Sequence, residues 1–451
     1  MRPQKVVVRS VIQKRKSAKG NRWVVRWTVD GKEFSRSSGT AAPAQDLQLE
    51  LRSAVKRAEK FDAVTGEPIS WKANATFLDA SLDFVKRKYG NWAPATRSSN
   101  IRALAIVVVA AATPPLSDEL REVARALFIE KCIPARDITL TQQQQVSWQA
   151  LQRNSWPLSE ITARRCEDVL DLMGKRNGWN STDRAAPASF TRRRTLLSGV
   201  LNAAVADESI PASPLQRVLR TPTKLQHAVV KSEIPTVQQG LLLIDEIREA
   251  RSQLDTAKRL AVFFAVTLYC GLRPGEVSGL RPQDIMLPGP DDNGWGTLTA
   301  TASVTQVIKR WTDDGKTVTH GPLKQRADST TRLVPAPPAL MKILAEFAAE
   351  CEPSSDGYLI RTRAGRPIGG TICAPLKRAK KKLGWVDAHP LSGVTHYTLR
   401  HTNASTLLEA GLSIAEVAKR LGHSELELLR TYTNVFHAST TASNAKLDNV
   451  F

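Results

Sequence analysis

Apolar and polar residues alternate through NRWVVRWTVDGKEFSRS, residues 21–37, as they do in a strand with one buried face. The apolar positions on that face are Trp23, Val25, Trp27 and Val29. Asp30-Gly31 is a strong signal for a two-residue hairpin turn. Together with the strand pattern KVVVRSVIQKR at 5–15, this stretch predicts a three-stranded sheet. The helical pattern at 41–60 predicts a helix that covers the apolar face of the sheet.

Apolar residues recur at helical spacing through most of residues 75–222. The clearest helical stretches are FLDASLDFVKRKY, DELREVARALFIEKC, ITARRCEDVLDLMGKR and SFTRRRTLLSGVLNAAVADESI. A turn-rich link at 61–76 precedes them, and a basic, proline-containing stretch at 220–236 follows. The segment is therefore predicted to be a helical domain of its own.

After the proline-containing stretch, the pattern changes from helices to strands and back to helices. AKRLAVFFAVTLYCGL predicts a buried helix, while GTLTATASVTQVIKRWTDDGKTVTHGPL and TTRLVPAP predict strands. Near the C-terminus, Ser413 with Glu416 and Ser424 with Glu427 each have the spacing of a capping box, and Gly422 is placed to end the helix between them. Two short, well-capped helices are expected there.

The three patterns together predict an α+β, multidomain fold. Residues 1–65 are expected to form the small basic sheet with its helix, and residues 75–222 the helical domain. Residues 233–451 are expected to form a mixed, mainly helical domain with a small sheet. A chain of 451 residues is long enough for several domains, each with its own core.

The net charge of the chain indicates which kind of partner it binds. Against 43 Asp and Glu, the chain has 64 Lys and Arg, which gives a formal net charge of +21. Such an excess, spread along the chain, favours nucleic acid over a membrane surface, which usually binds one amphipathic helix or tail. No apolar run approaches the roughly 18 to 20 residues of a membrane span, and no signal peptide is visible. A cytoplasmic, nucleoid-associated protein is expected.

Neither a metal nor a nucleotide cofactor is expected from the motifs. The five cysteines show no CxxC pair and no zinc-like spacing to histidine. The chain also lacks the GxxxxGK[ST] pattern of a phosphate-binding loop and the HExxH pattern of a zinc protease. The same cysteines predict no disulfide framework.

Basic residues on the predicted sheet and helices are candidate DNA contacts. They are Arg26, Lys32 and Arg36 on the strands, and Arg192, Arg193 and Arg194 on a helix. A basic ribbon can enter a major groove, and arginines on a helix can bind phosphates without reading sequence. The alternative, which the sequence leaves open, is that these residues form solvated faces.

Four patches between residue 269 and the C-terminus carry candidate chemistry. YCGLRPGEVSGL contains Arg273 and Glu276, GPLKQRADSTTRLVP contains Lys324 in a turn between strands, HYTLRHTNAS contains Arg400 and His401, and RLGHSELELLRTYTNVF contains His423 and Tyr432. Taken singly, each has a structural interpretation: an i, i+3 ion pair, a solvated lysine, a local hydrogen bond, or a packed tyrosine ring. Arg400 is the exception, because a cation near a helix N-terminus needs a compensating negative group.

Taken together, these side chains match the requirements of phosphodiester cleavage without a metal. Negative charge grows on the nonbridging oxygens of the phosphate, and two guanidiniums can bind them. A lysine can protonate the leaving 5′ oxygen. A phenol can become covalently linked and later leave, with help from a histidine and the positive field.

The sequence resembles the tyrosine recombinases of the phage integrase type. The resemblance is carried by GLRPGE, by the lysine of a β-hairpin, by LRHT, by LGH and by TYTNVF, in that order. It implies that Tyr432 attacks a scissile phosphate, that Arg273 and Arg400 hold the phosphate, and that Lys324 is the general acid. His423 would support the phosphate or the tyrosine proton, with Glu276 and His401 in supporting positions.

The resemblance also implies domain roles and partners. Residues 1–65 resemble an arm-type DNA-binding domain, 75–222 a core-binding domain and 233–451 the catalytic domain. The partners would be double-stranded DNA with core- and arm-type attachment sites, and a homotetramer on that DNA. A host DNA-bending protein and an excisionase are further candidates. Resealing of the same strand, as by a type IB topoisomerase, and DNA binding without cleavage stay open as alternatives.

One position departs from the family pattern. The family most often has histidine three residues before the second arginine, where this chain has Tyr397, with His396 one position earlier. In a helix a shift of one residue turns the side chain by about 100°, so His396 does not simply replace the usual histidine. Tyr397 can donate a hydrogen bond to a phosphate oxygen, and we predict that it helps to position the phosphate.

Overall fold

The computed structural model describes residues 4–17, 20–68, 71, 75–134, 138–176, 179, 181–218, 229–249, 254–321, 323, 331–351, 356–362, 365, 367–368 and 372–437. The chain divides into two compact units, Met1–Pro222 and Thr223–Phe451. A further division of the first unit near residues 65–75 stays a prediction. Within the described ranges, no helix has both the length and the apolar character needed to cross a bilayer.

The first unit begins with an antiparallel sheet in which the long central strand pairs on both edges. Its strands are β1 (Val6–Val8), β2 (Gln13–Ser17), β3 (Gly20–Val29) and β4 (Lys32–Ser38). The prediction of three strands is wrong, because the stretch at 5–15 breaks into β1 and β2, which both pair with β3. At the β3–β4 turn, Asp30 and Gly31 have φ angles of 48° and 86°, as the predicted two-residue hairpin requires.

The apolar face of this sheet is covered as the alternation predicts. Val25, Trp27 and Val29 are buried against α1 (Ala41–Lys56). The helix contributes Ala44, Leu51 and Ala54 to this core. Each side chain removed from water here adds about 1.5–3 kcal/mol for a large apolar residue, so this small core stabilises the sheet and helix together.

The rest of the first unit is helical. Its described helices are α2 (Phe77–Lys88), α3 (Pro94–Ala110), α4 (Asp118–Lys131), α5 (Gln142–Asn154), α6 (Ala163–Met173) and α7 (Pro187–Ala206). Threonine side chains cap α2, α5 and α6, and a proline stands at the first position of α3 and α7. These start signals agree with the helices predicted from apolar spacing.

The second unit combines helices with two small sheets. Its described helices are α8 (Val237–Arg248), α9 (Leu254–Cys270), α10 (Pro274–Gly279), α11 (Pro338–Glu350), α12 (Cys373–Lys382), α13 (His396–Glu409), α14 (Ile414–Leu421) and α15 (Glu425–His437). Its described strands are β5 (Ile285–Met286), β6 (Gly296–Ala300), β7 (Ser303–Gln306), β8 (Val318–Gly321) and β9 (Arg332–Ala336). The mixed fold agrees with the predicted α+β class.

Helix α9 lies at the centre of the second unit. It packs against α8, α11 and α13, and its residues 263–266 are completely buried. This burial explains why the sequence is apolar on every side from residue 260 to residue 266. Because α9 ends at Cys270, directly before the GLRPGE motif, the core fixes the position from which Arg273 projects.

The predicted helix starts and the predicted end of α14 are confirmed, although the described hydrogen bonds include only the serine half of each capping box. The Ser413 hydroxyl accepts a hydrogen bond from the Glu416 amide, and Ser424 accepts one from Glu427, both at 3.2 Å. Gly422 ends α14 with a φ of 68°, the left-handed conformation that favours glycine at this position. The junction between α14 and α15 is therefore a tight turn, and His423 lies in it.

Candidate active site

Arg273 is held at the start of α10 by its own helix and by the end of α14. Its backbone amide donates to Glu276 Oε2 at 2.8 Å, and its Nη1 donates to Glu276 Oε1 at 3.2 Å. Its Nη2 donates to the carbonyl oxygen of Gly422 at 2.8 Å. The ion pair suggested by the i, i+3 spacing is therefore present, and the arginine also contacts the LGH motif.

Arg400 lies on α13 and is buried, with 1% of its surface exposed. Its Nη1 donates to the carbonyl of Gly271, and its Nη2 donates to the carbonyl of Leu421 at 2.7 Å. Leu421 is the last residue of α14, and a helix C-terminus carries the negative end of the helix dipole. These carbonyls supply the negative groups that a cation near the start of α13 requires.

His423 completes this cluster as a neutral hydrogen-bonding group. Its Nε2 lies 2.7 Å from Arg400 Nη2, and because a guanidinium only donates, Nε2 accepts and Nδ1 carries the proton. Burial, with the charges of Arg400 and Arg273, lowers the pKa of His423 to about 3. Within the described residues Nδ1 is buried and has no hydrogen-bond partner.

Tyr432 is completely buried and its hydroxyl is bound to a different histidine. The ring packs with Val417, Leu421 and Leu428, and its Oη lies 2.7 Å from Nδ1 of His401. Burial raises the pKa of the phenol above its usual value. The backbone of Tyr432 has a φ of −115° and a ψ of 19°, which interrupts α15 at this residue. The structural role of the ring, one of the two interpretations of this tyrosine, is thus present in this conformation.

Two further residues of α13 lie beside the groups described above. They are His401, next to the Tyr432 ring, and Tyr397, next to the Arg400 guanidinium. The edge of the Tyr397 ring contacts His401 with 5.2 Å between ring centroids, and the Arg400 guanidinium lies 6.0 Å from the centroid of the same ring. Tyr397 is 38% exposed. Burial, together with the charge of Arg400, lowers the pKa of His401 to about 4. His396 is half-buried, and burial lowers its pKa.

Arg332 belongs to the same cluster and was missed by the sequence predictions. It is 3% exposed, and its two terminal nitrogens donate to the two carboxylate oxygens of Glu276 at 3.1 and 2.5 Å. The missed signal is positional. Arg332, Val334 and Ala336 alternate onto the buried face of β9, where a charged side chain needs a partner.

Lys324 lies outside the described residues. The strands on either side of it, β8 and β9, belong to different sheets: β8 pairs with β7, and β9 pairs with β6. The predicted turn around Lys324 falls on residues outside the described ranges and stays a prediction. The role of Lys324 as general acid stays a prediction.

The candidate DNA contacts of the sheet in the first unit have internal partners. Arg26 forms an ion pair with Glu33 at 3.1 Å, and Arg36 forms one with Glu67. The Lys32 ammonium donates to the carbonyl of Ala63 at 3.2 Å. These bonds lie at exposed positions and are weak in water, so DNA contact by the three basic residues stays a prediction.

The three arginines of α7 differ in their surroundings. Arg192 is exposed and Arg194 is half-buried. Arg193 is 5% exposed, and its guanidinium donates at 2.7–2.8 Å to the carbonyls of Met173, the last residue of α6, and of Lys175 and Arg176 just after it. Its predicted phosphate contact is wrong, because the side chain faces the protein interior and binds these carbonyls.

The two low histidine pKa values predict a loss of stability in mild acid. An unfolded histidine takes up a proton near pH 6.5, whereas folded His401 and His423 stay neutral down to about pH 4 and 3. The free energy of unfolding should therefore fall as the pH falls from 7 to 5, by about 1 to 2 kcal/mol for each histidine. Urea unfolding at pH 7 and 5 measures this difference.

The matched variants are His401→Gln and His423→Gln. Each should reduce the difference in unfolding free energy between the two pH values relative to the wild type. An acid effect as large in both variants as in the wild type would contradict the assignment.

Comparison with known proteins adds an independent finding. Residues 297–438 match the model of the phage integrase family. The chain is 33% identical over 110 residues to tyrosine recombinase XerC of Brucella melitensis, covering 24% of this chain and 33% of that protein. It is 25% identical over 238 residues to a tyrosine recombinase XerC-like protein of Caldanaerobacter subterraneus, covering 49% and 56%. The chain thus spans between a third and somewhat over half of the length of these relatives.

Solved structures with a similar arrangement include two recombinases. A XerH site-specific recombinase bound to palindromic difH substrate covers 82% of this chain and 95% of that chain, with 12% identity and a TM-score of 0.49. The Tn1549 transposon integrase in complex with transposon right end DNA covers 69% and 95%, with 16% identity and a TM-score of 0.48. The stretch that matches the family model includes the LRHT, LGH and TYTNVF motifs. Over residues 297–438 the chain is therefore similar to the phage integrase family, and the relatives it matches are tyrosine recombinases.

Proposed function

We propose that this protein is a site-specific DNA recombinase that integrates or excises a mobile element or phage genome. One observation carries the proposal: Arg273, Arg400 and His423 converge on the turn that ends α14, where hydrogen bonds connect them. Two cations and a neutral histidine that can donate form a site for the charge that develops on a phosphate.

In the proposed reaction, Tyr432 Oη attacks the scissile phosphorus while the bond from phosphorus to the 5′ oxygen breaks. The phenol loses its proton and the leaving 5′ oxygen gains one, for which Lys324 is the proposed acid. The product is a 3′-phosphotyrosyl link with a free 5′ hydroxyl. Attack of a partner 5′ hydroxyl on that link restores the phosphodiester and the phenol, so bond energy is conserved.

The position of Tyr432 adds one requirement to this reaction. Its ring is completely buried and its Oη is bound to His401, so the hydroxyl has to leave this contact to reach a phosphate. The interruption of α15 at Tyr432 is where such a movement is easiest, because the helix is already broken there. We propose that DNA binding drives this release.

The proposed partners are double-stranded DNA with core- and arm-type attachment sites and further copies of the chain. Each protomer cuts one strand, and exchange between two duplexes needs four cuts, so a homotetramer on DNA is proposed. A host DNA-bending protein and an excisionase are proposed accessory partners, and the nucleoid of a bacterial cell is the proposed location.

The proposal is tested on supercoiled plasmids that carry two copies of the sequence flanking the coding gene. Exchange between the copies gives recombinant circles of predicted size, and this is the expected result. Relaxation without exchange would favour a type IB topoisomerase-like enzyme. Binding without any nicking would favour a DNA-binding regulator on the same fold. Either of these outcomes would contradict the recombinase proposal.

At the same site, a partial loss of cleavage rate is predicted for a substitution of Tyr397. Its side chain is partly exposed, and its ring centroid lies 6.0 Å from the Arg400 guanidinium. We propose that its hydroxyl donates to the same phosphate, so Tyr397→Phe should slow cleavage by about 10-fold, the value of one hydrogen bond to a charged group. The rate is measured as formation of a covalent adduct on a nicked duplex that contains the flanking sequence, called the nicked substrate below. Cleavage as fast as in the wild type would show that Tyr397 does not position the phosphate.

A further inference from the structure

Arg332 is a buried cation whose surroundings connect it to the candidate phosphate site. It is the first residue of β9, and its guanidinium binds both oxygens of Glu276 as a fork. Glu276 is itself 1% exposed and lies three residues after Arg273. Removing one partner of a buried arginine–carboxylate pair leaves the other charge uncompensated, which is costly. The three side chains therefore form one unit.

The charge of this unit depends on Arg332. Burial by itself raises the pKa of Glu276, but the charges and hydrogen bonds of Arg332 and Arg273 hold it below its usual value. The carboxylate of Glu276 is thus ionised. The two positive guanidiniums outweigh its single negative charge, so the unit stays positive. Without Arg332, Arg273 and Glu276 would form a neutral pair, which attracts a phosphate far less strongly than a free cation.

Arg273 keeps N–H groups that are not used by the bonds described above. Its side chain makes one bond to Glu276 and one to the Gly422 carbonyl. A guanidinium has five N–H donors, so three of them have no partner among the residues that the structure describes. Arg332, by contrast, uses both of its terminal nitrogens on Glu276 and is buried. Arg273 is thus the arginine available to a ligand, and Arg332 the one that holds the carboxylate.

Gly422 allows the two arginines to approach each other. A Cβ atom at this position would overlap Nη1 of Arg332 and lie 3.4 Å from Nη1 of Arg273. The charged groups that act on Glu276 from the packed elements are Arg273 of α10, Arg332 of β9 and Arg400 of α13. No other carboxylate is among these groups, so Glu276 is the group whose charge Arg332 controls.

We infer that Arg332 is a positioning residue for DNA cleavage: it holds Glu276 so that Arg273 keeps its charge and its remaining donors for the scissile phosphate. The inference rests on the proposed function and extends it by one residue. Arg332 itself does not touch the DNA in this account. It acts through Glu276 and Arg273.

The test uses the full chain and the nicked substrate under single-turnover conditions, with DNA in excess. Arg332→Met should lower the rate of adduct formation by about 100-fold, the effect of a small misplacement at a reacting centre. The Kd for the substrate should change by less than about threefold, because most of the binding energy comes from other phosphate contacts. A role in the fold alone would lower binding and cleavage together.

Two further measurements distinguish an effect of Arg332 on the charge around Arg273 from an effect on side-chain packing. Without Arg332 the pKa of Glu276 should rise, so lowering the pH should raise the rate of Arg332→Met relative to the wild type. Adding Glu276→Gln to Arg332→Met removes the carboxylate that neutralises Arg273 and should recover the rate by about 10-fold. Glu276→Gln alone leaves Arg332 buried without its partner and should be slower than the double variant.

Three results would overturn the inference: cleavage by Arg332→Met at the wild-type rate, a pH profile parallel to that of the wild type, or a double variant no faster than the single one. If Arg332→Met does not fold, as judged by circular dichroism, the double variant carries the test, because it removes both buried charges. Its cleavage within about 30-fold of the wild type supports the inference, and complete loss contradicts it. Failure of the wild type to form an adduct would refute the proposed function instead.

Discussion

Replacing Tyr432 with phenylalanine should abolish the covalent protein–DNA adduct on the nicked substrate and lower strand cleavage by at least about 10⁴-fold. The substitution removes one oxygen atom, and that atom is the proposed nucleophile. Because the ring of Tyr432 is buried among apolar side chains, phenylalanine fills the same space. The only described hydrogen bond that is lost is the one to His401 Nδ1.

Folding and DNA binding should survive this change, and that makes the result interpretable. Loss of one buried hydrogen bond costs about 1 to 3 kcal/mol, so the melting temperature should fall by only a few degrees. Tyr397→Phe is the matched control, since it also removes a phenolic oxygen from the same cluster. An adduct that persists in Tyr432→Phe at the wild-type level would remove Tyr432 from the mechanism.

Arg400→Lys should lower the rate of adduct formation by about 10³-fold, although the charge is preserved. An arginine that clamps a phosphoryl group contributes about 10³- to 10⁵-fold in other enzymes. In this structure Arg400 binds the carbonyls of Gly271 and Leu421 and the ring of His423 at the same time. A lysine has a single ammonium on a flexible chain and cannot bridge these three positions.

The matched control for this variant is Arg378→Lys, at an exposed position on α12. It should cleave at nearly the wild-type rate. Comparing Kd with the single-turnover rate separates binding from chemistry, and the loss in Arg400→Lys should lie mainly in the rate. A rate within about 10-fold of the wild type would mean that charge alone suffices and that the bridging geometry is unimportant.

Local signals in the sequence predicted the parts of the site that depend on short spacing. The i, i+3 step from Arg273 to Glu276 and the left-handed Gly422 are both present as expected. The helix starts at Ser413 and Ser424 follow from the same kind of rule, since each cap involves residues only three positions apart. Short-range geometry of this kind is set by the backbone of one element.

The partners of the histidines depend on tertiary packing and were not predictable in the same way. The nine-residue step from His423 to Tyr432 suggested that these two act together, but His423 binds Arg400 and His401 binds Tyr432. Consecutive helical residues point about 100° apart, so Arg400 faces the end of α14 while His401 faces α15. Only the packing of α13 against both helices decides this division.

Two buried arginines lie at positions that the apolar periodicity of the sequence assigns to a buried face. Arg193 lies three, four and seven positions before Leu196, Leu197 and Val200, which is the buried face of α7. Arg332 shares the buried face of β9 with Val334 and Ala336. A cation on an apolar face indicates an internal partner as often as a ligand, and both arginines have one.

The most direct test of the central claim is to identify the amino acid that carries DNA after cleavage. The adduct formed on the nicked substrate is digested with nuclease and trypsin and analysed by tandem mass spectrometry. Cleavage after Arg430 and Lys446 releases TYTNVFHASTTASNAK, in which Tyr432 is the only tyrosine among several serines and threonines. We expect a nucleotide 3′-phosphate on Tyr432. A nucleotide on any other residue, or no adduct despite tight binding of the substrate, would contradict it.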